Sequence, residues 1–183
     1  MTEIRILGIA GSLRKASVNA SLLRLAAESA PAGVIVDIFD LAPIPLYNGD
    51  VEAAGLPESV AAFRQAIAGA DALLIASPEY NYSIPGVLKN ALDWASRPPD
   101  QPFAGKPAAI MGTGGWQGAA RAQYHLRQVL SALNVHTLNK PEVQIPMAWE
   151  LFDGDGALKK AEVRDRVAEL TAALASWTAQ LKK

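Results

Sequence analysis

Short apolar segments alternate along this chain with longer segments in which apolar residues recur every three or four positions. The short segments are typical of buried strands, and the longer ones are typical of amphipathic helices. The predicted strands are Ile4–Ala10, Val34–Phe39, Ala72–Ala76, Pro107–Met111 and Val135–Leu138, the last of which could continue to Val143. The predicted helices are Val18–Ala30, a segment through Leu56, Val60, Phe63 and Ile67, and then Pro85–Ala95, Gln117–Leu133 and Leu158–Leu181.

Five buried strands separated by helices predict an α/β fold in three layers, a doubly wound parallel sheet covered by helices on both faces. The length of 183 residues fits a single domain over residues 1–183. Right-handed crossovers leave two common arrangements, the dinucleotide-binding one and the flavodoxin-like one. Both place ligands at the carboxyl ends of the strands, so the loops after the first, third and fourth strands are the expected location of a site.

Composition narrows the classes of function. The formal net charge of -1 gives no electrostatic case for binding nucleic acid. The chain has no cysteine, which excludes disulfides, thiolate metal sites and redox dithiols, and its two histidines, His125 and His136, are interpreted as structural, so no metal site is expected. No apolar run approaches the roughly 18 residues of a membrane helix, and no signal-peptide pattern is present. We therefore expect a cytoplasmic protein with no membrane partner.

The loop after the first strand carries hydroxyl, amide and guanidinium groups directly before a helix. Ser12, Arg14, Ser17 and Asn19 are the donors that a terminal phosphate ester needs, and the helix that starts near Val18 adds its backbone N–H groups. The spacing matches neither the Walker A loop nor the Gly-x-Gly-x-x-Gly fingerprint. An ordinary strand-to-helix turn with Ser17 as the N-cap is the alternative interpretation.

The loop after the third strand presents two tyrosines beside a proline. Tyr80 and Tyr82 offer flat apolar area with a polar tip, which suits one side of an isoalloxazine ring, and Pro78 stiffens the turn. A turn followed by a capped helix, with both tyrosines packed on the surface, is the alternative.

The loop after the fourth strand is rich in glycine. Glycine allows a ligand to approach the backbone closely, and Thr113 adds a hydroxyl group. Trp116 would either shape the entrance to a ligand site or lie at a subunit interface. On the next helix Arg121, Tyr124 and Gln128 share one face, which by itself is typical of a solvated polar surface.

Three motifs carry a resemblance to a known family. Ser12-x-Arg14-x-x-Ser17-x-Asn19, Pro78-Glu79-Tyr80-Asn81 and the helix from Pro85-Gly86 to Asp93-Trp94 resemble the NADPH-dependent FMN reductase family, and within it the quinone and chromate reductase branch. The resemblance covers nearly the whole chain. It implies a flavodoxin-like five-stranded sheet with strand order 2-1-3-4-5.

The resemblance also implies roles for individual residues. The FMN phosphate would be held by Ser12, Arg14, Ser17, Val18 and Asn19. The flavin ring would contact Pro78, Glu79, Tyr80, Asn81, Tyr82, Thr113 and Gly114. A homodimer or homotetramer would form through Tyr82, Arg121, Tyr124 and Glu142.

The implied activity is an oxidoreductase in which NADH or NADPH reduces bound FMN and the electrons pass to quinones, chromate or similar acceptors. No catalytic side chain is expected, because the flavin carries the chemistry and the protein supplies position, polarity and access. Two alternatives stay open. One is a flavodoxin-like electron carrier, although carriers tend to be strongly acidic and this chain is nearly neutral. The other is a non-redox module that binds a phosphate-bearing ligand.

Overall fold

The computed structural model describes residues 3–182. Its strands are β1 Ile4–Ala10, β2 Val34–Phe39, β3 Ala72–Ala76, β4 Pro107–Thr113, β5 His136–Thr137 and β6 Val143–Ile145. Its helices are α1 Val18–Glu28, α2 Gly49–Ala54, α3 Glu58–Gly69, α4 Gly86–Ala95, α5 Ala120–Ala132, α6 Ala148–Leu151 and α7 Glu162–Leu181.

The strands form one parallel sheet in the order β2-β1-β3-β4-β5, which confirms the flavodoxin-like prediction. In the middle of the sheet Gly8 pairs with Leu74, and Leu74 pairs with Ala109. The chain reverses its direction of winding between β1 and β3. At such a switch point the loops on either side diverge and leave a crevice at the carboxyl edge.

The prediction of a single fifth strand was wrong. Two short strands, β5 and β6, both pair in parallel with β4, so the sheet has six strands rather than five. Pro141 lies between them and has no N–H for a ladder hydrogen bond, which interrupts the strand. The second piece, β6, follows β4 to its carboxyl end, where Thr113 pairs with Ile145.

Two helices begin later than predicted. Helix α5 begins at Ala120 instead of Gln117, because Gly118 and Ala119 have positive φ angles that a right-handed helix does not allow. Helix α7 begins at Glu162, since Leu158 instead forms a bridge with Phe152. The short helices α2 and α6 were not predicted. Among residues 3–182, no helix combines the length and apolar character required to span a bilayer.

The sheet has a hydrophobic cluster on each face. One cluster packs α3, α4 and α5 against strand residues such as Ile9 and Ile75, and the other packs α1 and α7 against residues such as Ile6 and Leu74. These alternating strand positions confirm the three layers. The predicted apolar stripes extend too far at two ends, since Leu56 and Leu181 are each 41% exposed.

Gly112 is held between β3 and helix α5 near the carboxyl edge of the sheet. A Cβ atom at this position would collide with the carbonyl oxygen of Ser77 and would lie 3.0 Å from the Cβ of Ala119. Only glycine therefore allows β4 to run this close to the end of β3 and the start of α5.

We expect Gly112→Ala to lower the free energy of unfolding by about 1–3 kcal/mol, the usual cost of forcing an atom into a packed interior. Urea denaturation followed by circular dichroism measures the change. Gly86→Ala is the matched control, because a Cβ atom at the start of α4 meets nothing within 4 Å. Equal stability of the two variants would contradict the proposed steric role of Gly112.

Candidate functional site

Three loops meet at the carboxyl edge of the sheet, following β1, β3 and β4. The first two are in contact, since a Cβ on Gly11 would lie 3.2 Å from the Cδ of Pro78. The backbone of Gly11 also donates to the carbonyl oxygen of Ala76 at the end of β3. The loops named by the sequence analysis thus form one continuous rim.

Asn19 joins the first turn of α1 to the end of β4. Its side-chain amide donates to the carbonyl oxygen of Thr113 at 3.0 Å and accepts from the Thr113 N–H at 3.0 Å. The Thr113 hydroxyl donates to the carbonyl oxygen of Ile145 at 2.9 Å. Both side chains are buried. They hold the rim together, and the direct contacts with a cofactor predicted for them stay predictions.

Ser17 caps helix α1. Its Oγ accepts from the N–H of Ala20 at 3.2 Å, and its backbone N–H donates to the carbonyl oxygen of Arg14 at 3.1 Å. The side chain is 1% exposed. Ser17 is therefore the N-cap of α1, as the alternative interpretation of this loop predicted. The first turn of α1 lies at the rim.

The outer part of the first loop presents hydrogen-bond donors. Ser12 is half-buried, Arg14 and Lys15 are exposed, and the Arg14 guanidinium donates to the carbonyl oxygen of Ala16 at 3.1 Å. Within residues 3–182, no acceptor meets the backbone N–H groups of residues 12–16. Successive unpaired N–H groups beside a helix start and an arginine are an arrangement that can bind an anion.

The turn after β3 is a tight hairpin. Tyr80 and Ser83 exchange two backbone hydrogen bonds of 3.0 Å, while Asn81 and Tyr82 both have positive φ angles. Positive φ at both central residues is the pattern of a type I′ turn, and it is costly for a tyrosine. The turn leaves Tyr80 and Tyr82 exposed at the rim.

Glu79 fixes this turn to helix α5. Its Oε2 accepts from the N–H of Arg121 at 2.9 Å and from the N–H of Ala122 at 3.1 Å. Its Oε1 lies 3.3 Å from the Arg121 guanidinium, which in turn lies over the Tyr82 ring at 4.1 Å from the centroid. A carboxylate at a helix N-terminus is favoured by the unpaired N–H groups and by the helix dipole.

The loop after β4 offers open backbone to a ligand. A Cβ on Gly114 or Gly115 would meet nothing within 4 Å, whereas one on Gly118 would collide with the backbone of β6. The carbonyl oxygens of Gly114 and Gly115 accept from the N–H groups of Ala148 and Met147, at 2.9 and 3.0 Å. The hydrogen bonds to Met147 and Ala148 therefore fix the loop, while the space beside Gly114 and Gly115 stays open to a ligand.

Two cavities flank the Tyr80–Ser83 turn. The larger has a volume of about 710 Å³ and is lined by Glu79, Asn81, Tyr82, Gly115, Trp116, Gln117, Ala119 and Arg121. The smaller, of about 440 Å³, is lined by Gly11, Ser12, Leu13, Arg14, Tyr80, Pro85, Gly86 and Val87. The predicted phosphate residues Ser12 and Arg14 thus lie on one side of the turn, and the predicted ring residues Asn81 and Tyr82 on the other.

Of the predicted interface residues, Arg121 and Tyr124 lie on α5, Tyr82 lies in the turn after β3, and Glu142 directly precedes β6. Tyr124 is 56% exposed, Arg121 is engaged by Glu79 within the chain, and Glu142 lies 3.1 Å from the ammonium of Lys140. A subunit contact through these residues stays a prediction.

Sequence reasoning missed two functions at the rim. It did not predict that the Glu79 carboxylate caps α5, and the contact between Glu79 and the flavin stays a prediction. No sequence signal marked this role, because α5 was predicted to begin at Gln117 and not at Ala120. It also overlooked Trp149, whose ring packs edge-to-face against Trp116 with 5.7 Å between the centroids. No periodic pattern in the sequence places these two tryptophans together.

The sheet order, the helices on both faces and the cleft at the carboxyl edge define a flavodoxin-like α/β protein. The sequence model of one family with this fold, described as NADPH-dependent FMN reductase, matches residues 4–150. The chain belongs to this family.

Several relatives match over almost their full length. The chain is 53% identical to the NAD(P)H-dependent FMN reductase PA1204 of Pseudomonas aeruginosa, with 98% of each chain covered. It is 45% identical to an NADPH:quinone oxidoreductase of Arabidopsis thaliana, covering 98% of this chain and 94% of that one. The solved structure of FerB, a flavoenzyme NAD(P)H:(acceptor) oxidoreductase from Paracoccus denitrificans, superposes with a TM-score of 0.86 at 34% identity, covering 97% of this chain and 98% of that one.

We expect Glu79→Ala to lower the free energy of unfolding by about 1 kcal/mol, the typical cost of losing a helix cap. Glu79→Gln is the matched control, because its amide oxygen still accepts from both N–H groups while the charge is lost. Urea denaturation of the three proteins separates the two contributions. If both variants lose the same stability, the charge and not the cap is what Glu79 contributes.

Proposed function

We propose that this protein is an NAD(P)H oxidoreductase that holds FMN at the carboxyl edge of its sheet and reduces quinones. The observation that carries the proposal is the arrangement of the rim. An exposed tyrosine turn and an open glycine loop line a cavity of about 710 Å³, and the loop after β1 lines a cavity of about 440 Å³ on the other side of the same turn. The name of one relative contains FMN, and the name of another contains quinone as the acceptor.

The loop after β1 would hold the FMN phosphate. Ser12 and Arg14 present a hydroxyl and a guanidinium to the smaller cavity. Val18 and Asn19 add backbone N–H groups in the first turn of α1, where no carbonyl within the helix accepts from them. Ser17 and the amide of Asn19 would contribute by fixing this geometry.

The flavin ring would lie between the turn after β3 and the loop after β4. Pro78, Glu79, Tyr80, Asn81 and Tyr82 form the first side. Thr113 and Gly114 would form the second through their backbone, because the Thr113 side chain is buried and a Cβ on Gly114 would meet nothing within 4 Å. The residues present therefore fit the cofactor in shape and in hydrogen-bonding character.

When bound, FMN supplies the two-electron chemistry that links a nicotinamide to an acceptor. The side chains need not act as nucleophiles, and their contribution is to bind and orient. The ion pair between Glu79 and Arg121 holds the turn that carries Tyr82 next to helix α5, and the Arg121 guanidinium lies over the Tyr82 ring. The larger cavity is open to solvent at Tyr82 and Trp116, so two substrates can use it in turn.

Three finer points belong to this proposal. Chromate is a further acceptor, which rests on the family resemblance of the motifs. A cytoplasmic location stays a prediction from the sequence. A homodimer or homotetramer would form through the α5 surface that carries Tyr124 and Arg121, with Tyr82 and Glu142 beside it.

The visible spectrum of the purified protein tests the function. With FMN bound, NADH or NADPH should bleach the flavin absorption without oxygen, and a quinone should restore it. Steady turnover without any partner protein would distinguish the enzyme from an electron carrier. A protein that stays colourless after addition of FMN would overturn the proposal.

Arg14→Ala should weaken FMN binding by roughly 10- to 100-fold, the equivalent of one charge-assisted hydrogen bond. Lys15→Ala is the matched control, because it removes a neighbouring exposed cation that lines neither cavity. Fluorescence titration of the apoprotein with FMN gives both dissociation constants. Equal losses would show that the loop acts only through its overall charge, against the assignment of Arg14.

Tyr124→Ala should shift the assembly towards smaller species on size-exclusion chromatography, because it removes an exposed aromatic ring from the proposed contact surface. Leu46→Ala is the control, since this exposed apolar side chain lies in the loop after β2, away from α5. An unchanged elution volume for Tyr124→Ala would remove Tyr124 from the interface.

A further inference from the structure

Trp116 is an unusually exposed aromatic residue. Its side chain is 80% exposed and lines the larger cavity. The ring of Trp149, itself 54% exposed, packs against it at 5.7 Å with an interplanar angle of 78°. Two tryptophans in edge-to-face contact leave a flat apolar face directed to solvent at the mouth of the cavity.

The backbone on both sides of the pair is fixed. Hydrogen bonds from Met147 and Ala148 to Gly115 and Gly114 join the two segments, at 3.0 and 2.9 Å. The carbonyl oxygen of Trp149 accepts from the ammonium of Lys159 at 2.9 Å. Trp116 therefore stands on an anchored loop, although its ring is in solvent.

We propose that Trp116, braced by Trp149, is a stacking wall that binds the planar quinone acceptor at the mouth of the larger cavity. The proposal rests on the function proposed above and deepens it, because it names a residue that selects the shape of the acceptor. Trp116 contacts the acceptor, and Trp149 is a positioning residue that acts through the Trp116 ring.

Charge at the mouth favours a neutral flat molecule over the dinucleotide. Arg121 and Glu79 are the charged residues that line this cavity, and they pair with each other. The phosphates of a dinucleotide need cations, and exposed Arg14 and Lys15 belong to the loop after β1 instead. A quinone has a ring to stack and no charge to neutralise, which matches the wall formed by Trp116.

The decisive comparison uses two acceptors on the holoenzyme. Trp116→Ala should raise the KM for a quinone about tenfold, in line with the loss of an aromatic contact and its buried area. The KM for ferricyanide, an octahedral anion with no ring, should stay unchanged, as should the rate at which NADH bleaches the flavin. Equilibrium dialysis of the quinone against the oxidised holoenzyme, without NADH, should show the same tenfold loss in binding.

Three variants complete the test. Trp116→Phe should recover most of the quinone affinity, because it keeps a flat ring. Trp149→Ala should give a smaller loss of about threefold, since the ring of Trp116 is kept but its support is removed. Leu46→Ala removes an exposed apolar side chain elsewhere and should behave as the unaltered protein.

Four results would overturn the proposal. One is an equal effect of Trp116→Ala on quinone and ferricyanide. Another is a rise in the KM for NADH with the quinone KM unchanged, which would assign the wall to the nicotinamide. The third is a change in elution volume on size-exclusion chromatography, which would make the pair a subunit contact. The fourth is normal quinone binding by the Trp116→Ala variant of an enzyme whose flavin NADH bleaches. This result refutes the inference and leaves the proposed function intact.

Discussion

The pair of hydrogen bonds between Asn19 and the backbone of Thr113 is the interaction on which the site depends. It joins the first turn of α1 to the carboxyl end of β4, across the intervening strand β3. Both residues are buried, so an unpaired amide or carbonyl there would carry the full cost of desolvation, about 1–3 kcal/mol. The pair therefore permits only a narrow range of distances between the loop after β1 and the glycine loop. A ligand that contacts both loops must therefore match this distance.

A second constraint acts on the tyrosine turn. The two central residues of this turn, Asn81 and Tyr82, have backbone conformations that are costly outside glycine. The Glu79 carboxylate offsets part of that cost by binding two N–H groups of α5 and the Arg121 guanidinium. Residues that share a motif thus divide into two groups. Glu79 and Asn19 use their polar atoms to hold loops together, while Arg14 and Tyr82 present theirs to solvent.

The features that the sequence could predict are those set by local patterns of apolar residues. The predicted strand Ala72–Ala76 agrees with the structure because a short apolar run can bury both faces only inside a sheet. The start of α5 and the split of the last strand were not predictable, because they follow from positive φ angles and from a missing N–H at Pro141. A polar residue in a motif also does not reveal whether its partner is a ligand or the backbone of a distant strand.

The rim combines exposed aromatic rings with a backbone that hydrogen bonds hold in place. Tyr82, Trp116 and Trp149 are all more than half exposed, which forgoes the stabilisation that their burial would give. When a flat molecule binds against these rings, it buries their apolar surface, and the free energy of that burial then favours binding. The cap on α5 and the hydrogen bonds from Met147 and Ala148 fix the backbone segments beside these rings. An open cavity with fixed walls can therefore receive one planar substrate after another without refolding between them.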